Sequence, residues 1–399
     1  EGRPLFEPKV LKKVEGKKMT HRERVIAAIG CKPVDRVPWI PECSWSYFAG
    51  IPEYQERFVC DGKEMVPPEK HDEALAFRVA FYTEVLKGEF MQWCANPGVK
   101  RVYDKVKDES AFEGDRYWQR IETPIGTLPP YSIWSYDANT WFPMEDLIKT
   151  KEDIDIYTYV MEDAHYEENY ASLSHDLSIV GDKGIFFSST PAAPLKSLLL
   201  GMMRLDQAAV MLMEETERME RLFRATHTKN LEMVKLQAKG PGKVFMDATV
   251  MGVGMASPRW IREYYTPYTK EYCDILKAAG KLYQFHTSGE PILAIADEIA
   301  KSGVNLQYGI AVPPRGEAPL SEIRKAIGPH VALSGGLEPA FLALADEAAV
   351  RDRTWQLLED MKGQNGFLLG TADDVPREVK PELLAVVGEV AREFAAKQK

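Results

Sequence analysis

The sequence predicts an α/β fold, a (β/α)8 TIM barrel with an aromatic-rich insertion after the first strand. The chain has 399 residues, a length that suits a barrel with insertions. Short apolar runs alternate with amphipathic helical stretches after residue 180, which is typical of βαβ units and a parallel sheet. Polar residues follow these runs where each strand would end, as expected at the mouth of a barrel.

Seven barrel strands are predicted from the apolar runs. The first is bounded by Pro38 and Pro41. The predicted strands lie at 36–41, 185–188, 243–247, 282–286, 304–308, 331–334 and 367–370. A closed barrel needs an eighth strand, which we expect within the irregular segment 42–180. A doubly wound open sheet is the second architecture that this pattern allows.

The helices between the strands follow from apolar periodicity and capping signals. Thr20 and Glu23 form a capping box that opens the first helix. Further helices are predicted at 72–87, 205–237, 258–279, 291–302, 320–327 and 340–362. Residues 121–128 and 131–136 are predicted to pair as a hairpin within the aromatic-rich region.

The composition argues against several classes of partner. The net charge is −10, whereas binding of nucleic acid or an anionic membrane requires a basic surface. No apolar run reaches the roughly 18 residues that a membrane span needs. The five cysteines form no CxxC pair, which favours a reducing compartment and a cytoplasmic location.

The first 18 residues are rich in lysine and lack the apolar stretch of a signal peptide. Met19 precedes the capping box and is the expected start of the folded domain. We therefore expect a solvated basic arm over 1–18, followed by a single barrel domain over 19–399.

The side chains at the strand ends are the candidates for chemistry. His286 is the sharpest candidate, because it ends an apolar strand and histidine serves as acid, base or metal ligand near neutral pH. Asp247 ends another apolar strand and Asp373 follows the last one, so both are candidate catalytic partners. The candidate substrate-binding residues at the other strand ends are Glu42, Trp45, Tyr47, Ser188, Tyr308 and Ser334.

Each candidate also has a structural interpretation. His286 could be a core residue, and Asp373 or Asp374 could cap the following helix. The aromatic residues between 39 and 142 could form the core of the insertion, line a pocket for a flat ligand, or do both. Nucleotide-binding glycine loops, an HExxH helix, a GxSxG turn and a four-ligand zinc spacing are absent from the sequence.

Several segments, taken in their order along the chain, resemble the uroporphyrinogen decarboxylase superfamily. These segments are Met19–Val25, Lys32–Pro38, Pro124–Leu128, Ile148–Asp153, Ser257–Trp260, Pro267–Tyr268, His286–Gly289, Gly335–Leu337 and Gly370–Pro376. The resemblance extends over about 19–396. It implies a (β/α)8 barrel whose site lies at the carboxyl ends of the strands.

One branch of this superfamily decarboxylates a porphyrinogen that carries many carboxylates, and holds it with an arginine-rich segment after the first strand. The matching segment here, 42–50, contains no arginine or lysine. Because a polyanion needs positive charge for binding, the sequence argues against decarboxylation, which stays an alternative.

The other branch moves methyl groups to or from a corrinoid, and its thiol-methylating members bind zinc through a His-x-Cys pair and a later cysteine. His286 matches that histidine, whereas Ser288 and Asp373 stand in the places of the two cysteines. The soft sulfur ligands are missing, which argues against a zinc-thiolate site. A site of harder ligands, if a metal is present, would use His286, Asp373 and Glu290.

The resemblance therefore implies the first methyltransferase of an O-demethylase system. Cobalamin, carried as a corrinoid by a partner protein, would accept the methyl group of a small-molecule donor, with an aromatic methyl ether as the first choice. His286, oriented by Asp247 or Asp373, would supply a proton to the leaving oxygen. The aromatic cluster would hold the methoxylated ring.

Three other functions stay open at this point. They are methylcobalamin:thiol methyltransferase, uroporphyrinogen-type decarboxylase, and a non-catalytic barrel that binds a tetrapyrrole. The expected partners are the corrinoid protein and the methyl donor, with no nucleic acid and no membrane. Assembly into a homo-oligomer is left open.

Overall fold

The computed structural model of the protein describes residues 18–59, 66–136, 140–199, 201–247 and 251–398. The basic arm predicted for 1–18 lies outside this part of the chain, apart from Lys18. The strands are β1 (Trp39–Ile40), β2 (Phe90–Cys94), β3 (Val99–Tyr103), β4 (Lys107–Glu113), β5 (Arg116–Thr123), β6 (Gly126–Leu128), β7 (Tyr131–Ser135), β8 (Thr140–Glu145), β9 (Ala164–Glu168), β10 (Gly184–Ser189), β11 (Val244–Met246), β12 (Leu282–His286), β13 (Leu306–Ile310), β14 (Ala332–Leu337) and β15 (Phe367–Thr371).

The helices surround these strands. They are α1 (His21–Ile29), α2 (Trp45–Ala49), α3 (Pro52–Phe58), α4 (His71–Ala80), α5 (Lys151–Asp163), α6 (Tyr170–Val180), α7 (Pro194–Leu199), α8 (Leu205–Glu214), α9 (Thr216–Lys239), α10 (Pro258–Tyr264), α11 (Thr266–Ala278), α12 (Ala296–Lys301), α13 (Leu320–Ile327), α14 (Pro339–Leu344), α15 (Glu347–Asp360) and α16 (Pro381–Lys397). Short 3-10 turns lie at Pro68–Lys70, Gly181–Lys183 and Leu293–Ile295. None of the helices in the described ranges combines the length and apolar character needed to cross a bilayer.

The helices confirm the predicted periodicities, but several predicted helices are divided. The segments predicted at 258–279 and 340–362 each form two helices, α10 with α11 and α14 with α15. The segment predicted as one helix at 205–237 is divided at Glu215 into α8 and α9. The segment predicted at 72–87 is α4 followed by a π-helical turn, Phe81–Val85, in which an extra residue widens the helix. The capping box at the start of α1 is present, with Glu23 N donating to Thr20 Oγ1 at 3.1 Å.

Eight parallel strands form the central sheet, in the order β1-β15-β14-β13-β12-β11-β10-β2. Consecutive barrel strands are neighbours, so the predicted barrel is confirmed over the doubly wound sheet. All seven predicted strands are present. The eighth is β2, in which the buried Gln92 interrupts the apolar run and hides the strand from a search for apolar segments.

Successive side chains of each strand face opposite sides of the sheet. One cluster fills the barrel and is closed at one end by α1: Val25, Ala28, Ile29, Ile40, Met91, Ile185, Phe187, Val244, Met246, Leu306, Tyr308, Ala332 and Leu368. The alternate positions belong to the core between sheet and helices: Trp39, Phe90, Phe186, Phe245, Tyr283, Phe285, Leu333 and Leu369. This alternation decides which of the predicted site residues face the inside of the barrel.

The aromatic residues of the predicted insertion occupy two places. Tyr47 and Phe48 follow the first barrel strand in α2 and are buried. Trp118, Trp134 and Trp141 belong to an antiparallel sheet of β4, β5, β7 and β8, which follows the second barrel strand. The rings of Trp134 and Trp141 lie 5.4 Å apart. The larger part of the insertion therefore follows β2, the strand that the apolar pattern left unassigned.

The predicted hairpin within this insertion has a different pairing. β5 turns back at 124–125 to pair with β6, and β7 pairs with the first half of β5. Thr123 Oγ1 accepts the N–H groups of Ile125 at 3.2 Å and Gly126 at 3.1 Å, which stabilises the turn. Residues 121–128 thus form a tight hairpin of their own rather than one continuous strand.

The barrel closes between β1 and β2 without a paired ladder in the described part of the chain, and we call this junction the β1–β2 seam. β1 has two residues and is flanked by Pro38 and Pro41, which have no N–H to donate. Glu89 N donates to Trp39 O at 2.8 Å, and Trp39 N donates back to the Glu89 carboxylate at 2.7 Å. Gly88 permits this approach, since a Cβ there would lie 2.8 Å from Trp39 O.

The Glu89 carboxylate at the bottom of the seam is fully buried and paired with cations. Arg24 Nη1 donates to it at 2.8 Å, and Arg36 forms a second ion pair with it. Burial alone would raise the pKa of Glu89, but His21, Arg36 and Arg24 hold that pKa below its ordinary value. The seam therefore depends on an ionised carboxylate that has its countercharges in place.

We predict that Glu89→Ala lowers the free energy of unfolding by about 3–5 kcal/mol, because it removes the buried carboxylate that pairs with Arg36 and with Arg24, of which Arg24 keeps only Asp35. Urea unfolding measures the loss. The control is Glu84→Ala, which removes an exposed ion pair with Lys183 and should cost about 0–1 kcal/mol. Since the pKa of Glu89 is lowered in the folded state, its stabilising effect should be present above the unfolded pKa and disappear as pH falls through the folded pKa. Equal losses in the two variants would contradict this account.

Candidate active site

His286 ends β12 and faces the inside of the barrel. Its ring lies 5.5 Å from that of Tyr308 on the neighbouring strand β13. Nε2 forms a hydrogen bond with Ser288 Oγ at 3.2 Å, and Nδ1 has no hydrogen-bond partner among the described residues. His286 therefore offers one buried ring nitrogen to a ligand inside the barrel.

The turn after His286 is held in a strained conformation. Ser288 has φ 46° and Gly289 has φ 78°, and a non-glycine residue in this region costs about 1–3 kcal/mol. Gly309, with φ 78°, packs against the turn. A Cβ on Gly309 would lie 3.0 Å from Ser288 N and 3.2 Å from His286 Cδ2. The packing thus keeps the Ser288 hydroxyl against the imidazole.

The environment of His286 favours the neutral imidazole. Burial and, to a smaller extent, the positive charge of Lys196 together lower the pKa of His286 to about 3. A histidine with this pKa carries no extra proton near neutral pH. It can exchange hydrogen bonds with a ligand, but it is poorly suited to the role of proton donor that the sequence predicted.

Glu42 lies on the same inner surface, and its pKa is shifted in the opposite direction from that of His286. Burial raises its pKa well above the ordinary glutamate value, and the charges of Asp374 and Asp373 raise it further. A hydrogen bond with Tyr308 opposes this shift only in part. Glu42 Oε2 has no hydrogen-bond partner in the described part of the chain. This environment favours the protonated form of Glu42, and one of its oxygens faces no hydrogen-bonding group of the described residues.

Asp373 and Asp374 follow β15 at the barrel mouth. Asp374 reaches solvent there, yet desolvation by the surrounding protein and the charge of Asp373 raise its pKa to about 6. A hydrogen bond with Ser44 opposes this rise, and Asp373 Oδ1 accepts from Asp374 N at 2.9 Å. Together with Glu42, these residues make the mouth acidic.

Asp247 does not orient His286, contrary to the sequence-based hypothesis. It follows Met246, which faces inward, and so points to the outer side of the sheet. There Lys196 of α7 donates to Oδ1 at 2.6 Å, and the Tyr283 hydroxyl donates to Oδ2 at 3.0 Å. Lys196 and Asp247 are both fully buried. Both carboxylate oxygens are thus occupied by structural partners.

Asp373 does not orient His286 either. The hydrogen bond to Nε2 of His286 comes from Ser288, and Nδ1 receives none within the described ranges. Asp373 acts through its charge on Glu42 and Asp374 instead. The sequence-based pairing of His286 with an aspartate is therefore wrong for both candidates, and Ser288 takes that place.

The predicted substrate-binding residues divide between the two sides of the sheet. Tyr308 and Ser334 face inward, and Ser334 is buried beside Gly370. Ser188 faces the outer core next to Phe245.

The two aromatic candidates after β1 also lie outside the barrel. Tyr47 is buried and donates its hydroxyl to Val379 O at 3.1 Å. Trp45 lies under the guanidinium of Arg78, 4.4 Å from ring centroid to Cζ. The structure thus gives Ser188, Tyr47 and Trp45 contacts outside the inner surface, and their role as binding residues stays a prediction.

Trp93 belongs to the aromatic cluster that the sequence suggested as a pocket lining, although it was not singled out as a binding residue. It follows Met91 at the period of two, so it continues the inner face of β2, and its side chain is 46% exposed. Lys196 and Asp374 were missed as well, the first because it belongs to a helix and the second because it was interpreted as a cap. Assigning β2 and applying the alternation to it would have identified Trp93.

The comparisons with known proteins agree with this geometry. A model of the uroporphyrinogen decarboxylase (URO-D) family matches residues 190–394, which is more than half of the 399 residues. The chain belongs to the uroporphyrinogen decarboxylase family. No curated protein matches the sequence.

The solved structures that match this family member differ in how closely their folds resemble its own. A methyltransferase from Methanosarcina mazei has a TM-score of 0.60 at 12% identity, over 94% of this chain and 99% of that chain. At this identity the likeness concerns the fold alone. A D-psicose 3-epimerase with D-fructose covers 60% of this chain and 86% of its own, and one from Clostridium cellulolyticum H10 with D-tagatose covers 56% and 82%. Both have 10% identity and a TM-score of 0.33, too low to support an argument.

The side chains do not fit the zinc site that the family resemblance suggests. Across the described ranges, no group of three His, Cys, Asp or Glu side chains is arranged to hold a metal ion. Glu290 packs against Gly252, since a Cβ added to Gly252 would lie 2.5 Å from the Cβ of Glu290. His286 Nε2 is already bonded to Ser288. The set His286, Asp373 and Glu290 is therefore not assembled, and we derive no chemistry from it.

We predict that His286 stays neutral between pH 5 and pH 8, because burial and Lys196 disfavour its charged form. Nuclear magnetic resonance of the imidazole nitrogens over a pH series measures this directly. The His286→Gln variant identifies the signals that belong to this residue. A titration midpoint near the ordinary histidine value of about 6.5 would contradict the electrostatic account of the site.

Proposed function

We propose that this family member is a methyltransferase that moves a methyl group from a small-molecule methyl ether, best an aromatic one, to a corrinoid carried by a partner protein. One observation carries the proposal: the carboxyl of Glu42 lies beside Tyr308 on the inner surface of the barrel, and its buried Oε2 has no hydrogen-bond partner among the described residues. Burial and the neighbouring carboxylates raise the pKa of Glu42, which favours its protonated form. Ether cleavage needs such a group, because the leaving oxygen requires a proton or a Lewis acid.

The charge of the barrel mouth supports this branch of the family over decarboxylation. Asp373 and Asp374 carry the negative charge there, and the segment 42–50 contains no arginine or lysine. An acidic mouth repels a porphyrinogen with many carboxylates. It tolerates a neutral ether. The structurally similar Methanosarcina mazei protein is a methyltransferase, which agrees with the same choice.

In the proposed step, the bond between the methyl carbon and the ether oxygen breaks, and the methyl group passes to the corrinoid, which supplies the electron pair in its Co(I) state. Glu42 donates its proton to the leaving oxygen, so that a neutral alcohol or phenol departs. Asp374 lies between Glu42 and solvent and has a pKa of about 6, which suits it to return a proton to Glu42.

The neutral groups of the site would hold the donor. Nδ1 of His286 can exchange a hydrogen bond with a substituent of the ring, without competing with Glu42 as the acid. The partly exposed ring of Trp93 and the ring of Tyr308 offer apolar surface to a flat molecule. Zinc has no part in this proposal, since its ligands are not assembled.

We predict that Glu42→Gln lowers kcat for methyl transfer by about 10²–10⁴-fold, because the amide cannot deliver a proton. The assay mixes the protein with cob(I)alamin, free or on a corrinoid protein, and a panel of methoxylated aromatics, methylated thiols and methylated amines. The change of the visible spectrum to that of methylcobalamin measures the transfer.

The control for this variant is Glu84→Gln, an exposed carboxylate that should leave kcat unchanged. Transfer from thiols or amines but not from ethers would contradict the donor class. Loss of carbon dioxide from a porphyrinogen, without any methyl transfer, would contradict the proposal as a whole.

A further inference from the structure

The loop 41–44 joins β1 to α2 and carries Glu42, yet it has no regular secondary structure to hold it. On one side, the loop is tied to the segment that ends β15. Glu42 N donates to Thr371 Oγ1 at 3.0 Å, and Val375 N donates to Glu42 O at 2.8 Å. On the other side, the next peptide group faces β2 across the upper part of the β1–β2 seam.

Tyr82 holds both backbone groups of Cys43 with one hydroxyl. Cys43 N donates to Tyr82 Oη at 3.1 Å, and Tyr82 Oη donates to Cys43 O at 3.2 Å. Both residues are buried. Tyr82 lies in the π-helical turn after α4, and such turns recur at functional sites. The turn thus places the Tyr82 hydroxyl beside Cys43, the residue that follows Glu42.

Gln92 of β2 completes the contact. Its Nε2 donates to Cys43 O at 2.7 Å and to Tyr82 Oη at 3.2 Å. Arg78 Nη1 donates to Gln92 Oε1 at 3.1 Å. Because arginine only donates, this bond fixes the amide with its NH2 group toward Cys43. These bonds join β2 to the loop that follows β1, where the two strands have no backbone ladder in the described part of the chain.

Arg78 has a setting that its packing alone does not explain. Its side chain is 7% exposed, and Nε has no hydrogen-bond partner among the described residues. Its guanidinium pairs with no carboxylate there and lies on the ring of Trp45. A buried cation without a countercharge is costly. Its one polar contact is the amide that holds the Cys43 peptide.

We propose that Tyr82, Gln92 and Arg78 are positioning residues for Glu42: they clamp the Cys43 peptide and so hold the Glu42 carboxyl against Tyr308. We call this set the Cys43 clamp. The role of the clamp in catalysis rests on the proposed function, in which Glu42 is the proton donor. The clamp itself rests on the hydrogen bonds across the seam.

The test is Tyr82→Phe, which removes the bridging hydroxyl and keeps the ring. The matched control is Tyr170→Phe, which removes a hydroxyl that donates to Leu236 O at 2.7 Å, away from the seam. The first readout is the infrared band of the Glu42 side chain, a carbonyl band if the group is protonated and a carboxylate band if it is ionised, identified by difference from Glu42→Gln. This readout needs no substrate, so it decides the clamp even if methyl transfer fails.

The clamp predicts that the Glu42 band shifts or broadens in Tyr82→Phe and stays unchanged in Tyr170→Phe. In the methyl-transfer assay, Tyr82→Phe should lower kcat by about 10²-fold at unchanged KM, since a misplaced acid affects the transition state alone. If Tyr82→Phe does not fold, Arg78→Lys, which keeps the charge and loses the reach to Gln92, is measured in the same way. An unchanged Glu42 band would overturn the proposal whatever the activity.

Discussion

The β1–β2 seam is the constraint on which both the barrel and its candidate site depend. The other seven junctions of the sheet are closed by backbone ladders. At the seam, the prolines on either side of β1 remove the donors that a ladder needs, so side chains replace it. Glu89 closes the lower part through Trp39 and two arginines, and Gln92 with Tyr82 closes the upper part through Cys43. The loop that carries Glu42 begins at this junction. The stability of the barrel and the position of the proposed acid therefore both depend on the side-chain contacts of the seam.

Because side chains alternate across the barrel strands, the residues of the candidate site face inward and the residues that stabilise the fold face outward. His286 and Tyr308 face inward with their rings in contact, and Tyr308 also interacts with Glu42, whereas Asp247 faces outward and pairs with Lys196. The two sides still communicate through charge, because Lys196 is close enough to disfavour a protonated His286. The result is an inner surface on which both groups favour their neutral forms, because the pKa of His286 is lowered and the pKa of Glu42 is raised. Such a pair of opposed shifts is typical of functional sites.

Much of the barrel could be predicted from the sequence, because apolar strands and amphipathic helices leave clear patterns. β2 could not, since Gln92 serves the seam and breaks the apolar run. His286, Tyr308 and Glu42 could be predicted as strand-end residues, but their roles could not, because protonation depends on burial and on charges distant in sequence. Asp247 was misjudged because a strand end alone does not tell which side of the sheet a residue faces. Tyr82 and Arg78 gave no sequence signal, since a π-helical turn shifts the helical period at that point.

The central claim is that Glu42 protonates the leaving oxygen while the methyl group moves to a corrinoid. Its most direct test is the rate of methyl transfer from a series of ring-substituted methoxybenzenes whose phenols differ in pKa. The account predicts a weak dependence of the rate on the phenol pKa in the wild-type protein, because the oxygen leaves already protonated, and a steep dependence in Glu42→Gln. The same dependence in both proteins, or no transfer from any ether, would contradict it.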